Sequence, residues 1–324
     1  MTAAVDALRA HARWRWWEFA VLAALVVSWV ALPGRALLLS EIAILALFAL
    51  SLDLILGYAG IVSLGHAAFF GFGAYAAALF AKLVMPDPWV GLAVAIAASA
   101  ALGALTSVLI LRGSDLTRLM VTLGVAAILY ELANKFDGLT GGADGLQGVV
   151  MGPLVTPFGR FDFDIQGRVA YAYALFVLVV ALLAARKVVH SPLGVSLQAL
   201  RDNRLRVASI GLSVNARLVA VYVLAAALAG AAGALVAQTS GFASLDLFDF
   251  HRSADVMLVL VIGGTGYLYG GLLGAIVFKL LHDVISAWTP QYWNFWMGLF
   301  LVALMLVGRE RLLSPRRWRR GEAR

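Results

Sequence analysis

Few side chains in this 324-residue chain have the type and spacing that chemistry requires. A zinc-dependent hydrolase of the His-Glu-x-x-His kind needs two histidines four apart on a helix, but His66, His251 and His282 each stand alone. A serine nucleophile elbow needs Gly-x-Ser-x-Gly, and a phosphate loop needs Gly-x-x-x-x-Gly-Lys-Ser/Thr. Neither occurs. None of the lysines at 82, 135, 187 and 279 follows a glycine, and the glycine-rich run Gly141-Gly-Ala-Asp-Gly-Leu-Gln-Gly148 lacks the Lys-Ser/Thr pair. The chain has no cysteine, so it offers no disulfide framework and no thiolate metal site. No catalytic residue, metal site or bound cofactor is therefore expected, and any energy from ATP must come from another subunit. What remains is a polar, glycine-rich group within an apolar stretch: Asp53, Gly57, Gly60, Ser63, Gly65, His66, Gly71 and Gly73. Its chemistry is that of a permeation pathway or hinge. Small residues four apart also simply let helices pack closely, and both readings stand. Asp53 reads equally as a satisfied structural carboxylate or a gating one, because its cost in lipid falls near a helix end.

The elements that carry these residues follow from composition. Apolar residues make up 62% of the chain and charged residues 13%, against roughly 45–50% and about 25% in soluble domains. At about 20 apolar residues per span, the chain holds enough for roughly ten spans. A soluble enzyme, a coiled coil and a disordered chain are excluded, and continuous apolar runs do not suit a β-barrel, whose strands alternate. The predicted fold is all-α: a polytopic membrane protein of about eight to ten transmembrane helices with re-entrant or broken glycine-rich segments.

Charge sets the expected topology. Of 25 lysines and arginines, 18 cluster before residue 17, in the link 112–118, in the segment 186–217 and beyond 308. Clustering of this kind marks cytoplasmic segments, so the net charge of +7 reads as topology, with no nucleic-acid partner. We expect a cytoplasmic N-terminal segment 1–16, a transmembrane domain 17–308 and a basic cytoplasmic tail 309–324. Within the domain, 186–217 lies inside, and the acidic loop 136–168, with Asp137, Asp144, Asp162 and Asp164, lies outside. The first apolar run, 17–32, lacks a clean small-x-small cleavage site and is read as a retained span rather than a signal peptide.

Further spans are predicted at 36–56, from the glycine-rich run to Val84, at 89–111, 119–135, 169–185, 218–239 and 292–308. Glu41 and Glu131 read as interfacial. The run 254–285 is interrupted by Gly263-Gly264-Thr265-Gly266. Parity requires this run to begin and end outside, so it crosses twice or dips in and out with the glycines at the turn. Its first part is too short for a full span. Non-helical backbone in a bilayer survives only where protein or water covers it, which makes Gly263, Gly264 and Gly266 a second candidate pathway or hinge. Early and late placement of the two interruptions is compatible with a weak internal repeat, a common transporter construction. For Gly270 and Gly274, close helix packing is the favoured reading.

In the internal segment, Ser191 reads as an N-cap with Pro192 at the first helical position. Leu193, Leu197, Leu200 and Val207 form one apolar stripe, with Arg201, Asp202 and Arg206 off it and Arg204 intruding, and Gly211 closes the helix. Such a helix either lies on anionic headgroups or docks apolar side first in a partner's groove. Composition leaves both open.

Several of these motifs, in this order, resemble a known family. Ser51-Leu-Asp-Leu-Ile-Leu-Gly-Tyr-Ala-Gly-Ile-Val-Ser-Leu-Gly-His-Ala-Ala-Phe-Phe-Gly-Phe-Gly-Ala-Tyr75 is similar to the permeases of branched-chain amino acid ABC importers, in particular the LivM-type subunit; the LivH-type sister tends to carry Ala-His-Gly where this chain has Gly-His-Ala. The resemblance continues through Thr140 to Gly145, Ser191 to Gly194, Ala199 to Asn203, Ala208 to Gly211, Ala229 to Gly233 and Gly263 to Gly266. It implies a prokaryotic plasma (inner) membrane location, a sister LivH-type permease, two cytoplasmic ATP-binding subunits and a periplasmic or tethered substrate-binding protein, which would hold the high-affinity site. It also implies that 191–211 is the ATPase coupling loop, placing Ser191, Pro192, Leu193, Gly194, Leu197, Leu200, Arg201 and Gly211 at that contact. Urea and short-amide importers use similar permeases. An ion-coupled secondary transporter fits less well, since it would usually pair ionisable groups at mid-membrane, and an intramembrane enzyme lacks its catalytic pair.

Overall fold

A computed structural model describes residues 16–113, 115–157, 159–164 and 166–307. The N-terminal segment predicted over 1–16 and the tail 309–324 lie, but for Trp16, outside these residues. In lipid every backbone N–H and C=O must be satisfied within its own segment, so the apolar runs fold as helices. These are α1 (Trp16–Ala31), α2 (Ala36–Asp53), α3 (Ala67–Leu83), α4 (Pro88–Ile110) and α5 (Asp115–Lys135). A single turn, α6 (Asp137–Thr140), precedes α7 (Arg168–Val189) and the short helices α8 (Pro192–Asp202) and α9 (Arg204–Ser209). The rest are α10 (Val214–Ser240), α11 (Phe250–Gly263), α12 (Gly270–Trp288) and α13 (Trp293–Val307). A 3₁₀ turn, Pro33–Arg35, leads into α2, and a π turn, Leu54–Tyr58, ends it.

Among the described residues six helices are long and apolar enough to cross a membrane: α2 with its flanking turns, α4, α5, α7, α10 and α12. The 17 residues of α3 reach about 25 Å and the 14 of α11 about 21 Å at 1.5 Å per residue. Both fall short of a hydrocarbon core of about 30 Å, which is the broken geometry the glycine-rich interruptions predict.

Helices α2 and α10 occupy the centre. Helix α10 runs against α3 and α4, while α7, α12 and α11 pack around α2. Small residues bring the helices close. A Cβ on Gly73 would strike the backbone of Gly230, and one on Gly103 would strike Ala226, so α10 lies almost backbone to backbone against α3. Leu105 on α4, Leu116 and Ile128 on α5 and Leu299 on α13 point outward, as a surface solvated by lipid requires. The Arg186 guanidinium donates to the Glu18 carboxylate at 2.8 Å, a buried ion pair fastening α1 to α7. Glu41, predicted interfacial, is half-exposed and pairs with Lys279 at 2.7 Å.

Connections gather at two opposite ends. At one, the 136–167 loop is pinned to its neighbours: Gly152 N–H donates to Pro86 O at 2.7 Å, and Leu146 and Ala243 exchange backbone hydrogen bonds of 2.8 and 3.1 Å. This loop includes a small antiparallel hairpin, β1 (Leu154–Thr156) with β2 (Gly159–Phe161), absent from the all-α reading. Strand edges are tolerated there because the loop lies beyond the helix ends, where water can satisfy them. At the other end, 54–66, 190–213 and 264–269 meet.

Candidate functional site

The site is built where α2 stops. The last carbonyls of a helix have no partner within it and carry the negative end of the helix dipole. Here the helix widens into the π turn at Leu54–Tyr58, a feature frequent at functional sites. The freed Gly57 carbonyl accepts a 2.5 Å hydrogen bond from the Arg201 guanidinium, which comes from α8, 144 residues away. One turn earlier, the Asp53 carboxylate accepts the Gly266 backbone N–H at 2.7 Å. The two glycine-rich interruptions are therefore one junction, with Arg201 facing both. Glycine is required by this closeness: a Cβ on Gly57 would overlap Asp53 Oδ1 and the Gly266 backbone. Gly60 has φ 69°, and a Cβ there would lie 2.7 Å from Arg201 Cγ. Asp53 is buried, and its second oxygen has no hydrogen-bond partner among the described residues.

From Gly60 the chain passes back between helices to the start of α3. Ser63 is fully buried and faces Tyr222. Gly65 lies against the Thr122 carbonyl of α5. His66 is also fully buried, its Nε2 sharing a 2.8 Å hydrogen bond with Ser51 Oγ. Its ring stacks on Phe48, centroids 5.5 Å apart, and meets Phe69 edge-on. The opening amides of α3 are occupied: Ala67 N–H by Ser253 Oγ at 2.9 Å, and those of Ala68 and Phe69 by Gly65 O and His66 O. This N-terminus is closed by the protein itself.

Gly71 and Gly73, grouped by sequence with the pathway, belong elsewhere. Gly71 faces the Phe248 ring and Gly73 the Gly230 backbone, so both serve the packing of α3, the alternative that small-residue spacing had left open. Gly263 and Gly270 close the α11–α12 turn on each other, and Gly274 lies against Val259 O, which agrees with the packing reading of Gly270 and Gly274. Gly264, at φ 96°, ends α11.

The internal segment differs from its helical-wheel picture in three ways. It is two helices, because Asn203 turns extended (φ −159°) and its side chain caps α9 by accepting Arg206 N–H at 2.9 Å. Ser191 precedes Pro192 at the N-cap position, but its hydroxyl donates back to Val188 O at 2.6 Å and caps nothing. Most important, the apolar stripe faces inward: Leu197 is 1% exposed and Leu200 0%, with Val207 buried and Leu193 partly so. The chain's own helices α7 and α10 and the π turn fill the space a partner's groove was expected to fill. Gly194 lies against Val189 O, and Gly211, at φ 81°, follows α9 as expected. The apolar groups the segment leaves outward are Val195, Leu205 and Ile210.

No sequence signal marks Ser51, Ser253 or Tyr222, which pack around the buried stretch from Ser63 to Phe69. A lone hydroxyl in an apolar helix carries no signal of its own, since it can bond its own backbone. Among the described residues no group of three His, Asp or Glu side chains is placed to hold a metal ion. The junction offers one buried carboxylate, one guanidinium and glycine backbone, an arrangement that holds the end of α2 against the turn before α12.

Residues 35–308 match a family model described as the permease component of the branched-chain amino acid transport system. The chain is 30% identical over 321 residues to the high-affinity branched-chain amino acid transport system permease protein LivM of Escherichia coli strain K12, covering 91% of this chain and 73% of the relative. It is also 30% identical over 319 residues to the protein of the same name from Salmonella typhimurium strain LT2, covering 91% and 74%. No solved structure matches.

Proposed function

The chain belongs to the branched-chain amino acid permease family, and on that premise we propose that it is the LivM-type, membrane-spanning subunit of an ATP-binding cassette importer for branched-chain or other hydrophobic amino acids. The observation that carries the mechanism is the junction at Asp53, Gly57, Arg201 and Gly266: the breaks in two inner elements meet against the segment that a nucleotide-driven partner would move. A mostly apolar interior with few charges suits an amino acid whose side chain is apolar. The protein sits in the prokaryotic inner membrane with both termini and the 186–217 segment in the cytoplasm, a topology that the arginine placement supports. Its partners are a LivH-type permease, two cytoplasmic ATP-binding subunits and a periplasmic or tethered binding protein. ATP is bound by those subunits, since this sequence has no phosphate loop.

The test is reconstitution of the chain with those partners in liposomes and measurement of ATP-dependent uptake of labelled leucine, urea and acetamide. Leucine uptake that needs ATP and is not displaced by excess urea supports the reading. Urea or amide uptake without leucine uptake would assign the machine to that other substrate class. Uptake driven by an ion gradient without the ATP-binding subunits would overturn the importer reading.

A further inference from the structure

We infer that Arg201 is the positioning residue that carries movement of the internal segment into the membrane, by tying α8 to both chain breaks. The inference rests on the importer reading but does not follow from it. The resemblance places Arg201 at the ATPase contact, whereas its guanidinium, half-exposed and also beside Asp202, reaches the Gly57 carbonyl of the chain itself.

Four observations converge. Arg201 Nη1 donates to the Gly57 carbonyl at 2.5 Å. The arginine stem covers Gly60, whose left-handed backbone leaves room for it: a Cβ there would lie 2.7 Å from Arg201 Cγ and 3.6 Å from its Cα. A Cβ on Gly266 would sit 3.4 Å from Arg201 Nη1 and 3.3 Å from Gly57 O, so the same guanidinium borders the second break. Gly266 is in turn held by Asp53. Arg201 is the last side chain before α8 ends at Asp202, and the two leucines that precede it on the inner face, Leu197 and Leu200, are buried. Helix α8 is thereby packed into the protein as a rigid lever with the guanidinium at its end. A shift of α8 moves the donor off the Gly57 carbonyl and leaves the end of α2 without its cation, so that the junction is held only by the Asp53 contact to Gly266. Arginine suits the task because its planar fork carries several donors in a fixed geometry.

The experiment uses the complete reconstituted importer and reads amino acid uptake per ATP hydrolysed, together with copurification of the ATP-binding subunits and the thermal midpoint. Uptake by the wild-type complex tests the importer reading, and the variants test Arg201. Arg201→Gln should lower the uptake-to-hydrolysis ratio about tenfold, the equivalent of about 1.4 kcal/mol, with copurification and midpoint unchanged. Arg201→Lys, which keeps the charge and an N–H donor but not the planar fork, should recover part of the ratio. Gly60→Ala, which displaces the arginine stem, should lower the ratio in the same way, and the double variant should be no worse than either single one, as expected of two changes to one contact. A wild-type ratio in Arg201→Gln, or multiplying effects in the double variant, would overturn the inference. So would loss of the ATP-binding subunits from Arg201→Gln, because the side chain would then belong to their interface. If Arg201→Gln does not fold, Gly60→Ala decides, and a wild-type ratio there refutes the inference.

Discussion

The Gly266 backbone amide donates to the Asp53 carboxylate across 213 positions of sequence, in a hydrogen bond of 2.7 Å. It joins the end of an early helix to the turn between two late ones. The carboxylate needs this amide, because burial without a partner would be costly. The amide needs the carboxylate too, because Gly266 lies in a turn and has no helix to accept from it.

Asp53→Ala should therefore destabilise the protein by about 1 kcal/mol, the low end of the cost of leaving a donor unpaired, because Gly266 is only part-buried. Asp53→Asn keeps an acceptor oxygen and should cost less. Thermal unfolding in detergent checks the order, and an alanine variant as stable as the asparagine one would contradict it.

Glycine substitutions should separate by place rather than by number of atoms added. Gly57→Ala puts a methyl group onto Asp53 and the Gly266 backbone, and neither can yield cheaply, so a loss at or above the about 1–3 kcal/mol usual for overpacking is expected. Gly34→Ala and Gly124→Ala meet nothing within 4 Å and should leave yield and midpoint unchanged. Size-exclusion profiles and melting curves of the three variants provide the comparison.

Aspartate scanning of the internal segment should distinguish support from contact. Leu197→Asp and Leu200→Asp each forfeit about 1.5–3 kcal/mol of burial and bury an unpaired charge, so these variants should lose stability even without partners. Leu205 and Ile210 are 84% and 69% exposed. Leu205→Asp and Ile210→Asp should spare the isolated chain and weaken copurification of the ATP-binding subunits. Normal copurification with both exposed variants would place the contact elsewhere.

A pH dependence follows from the cap of α11, outside the spanning segments. The backbone N–H of His251 at 3.0 Å, with its ring and Arg252 beyond, holds the Asp249 carboxyl below the ordinary carboxylate range. A depressed value stabilises the folded state at every pH above the ordinary value of about 3.9, and the contribution disappears as pH falls through the depressed value. Asp249→Ala should cost toward the lower end of the about 0.5–2 kcal/mol typical of an N-cap, because the group is half-exposed and screened. The gap in melting between wild type and variant should be present at pH 7 and shrink below pH 3.9. An unchanged gap would refute the assignment.

The sequence by itself determined that the chain is built of apolar helices and where two of its apolar runs break. Lipid imposes a minimum apolar length on a span, and glycine clusters interrupt those lengths at 57–60 and 263–266. Capping was less readable: Asp87, whose carboxylate accepts from Trp89 and Val90 at the start of α4, carried no reading, whereas Ser191, expected as a cap, bonds back to Val188 O. Which helices lie inside was not readable. Helices α4 and α10 are equally apolar by mean hydropathy, yet α10 is mostly buried and α4 mostly outward. Lipid tails are as apolar as a protein core, so no periodic pattern need separate the two faces. The same limit concealed the inward turn of Leu197 and Leu200: a helical wheel gives the direction of a stripe but not what fills the space beside it. Only the tertiary structure decided that the two breaks touch and that Arg201 turns toward them, because a contact across 144 residues depends on how intervening helices pack, and no local residue spacing encodes that.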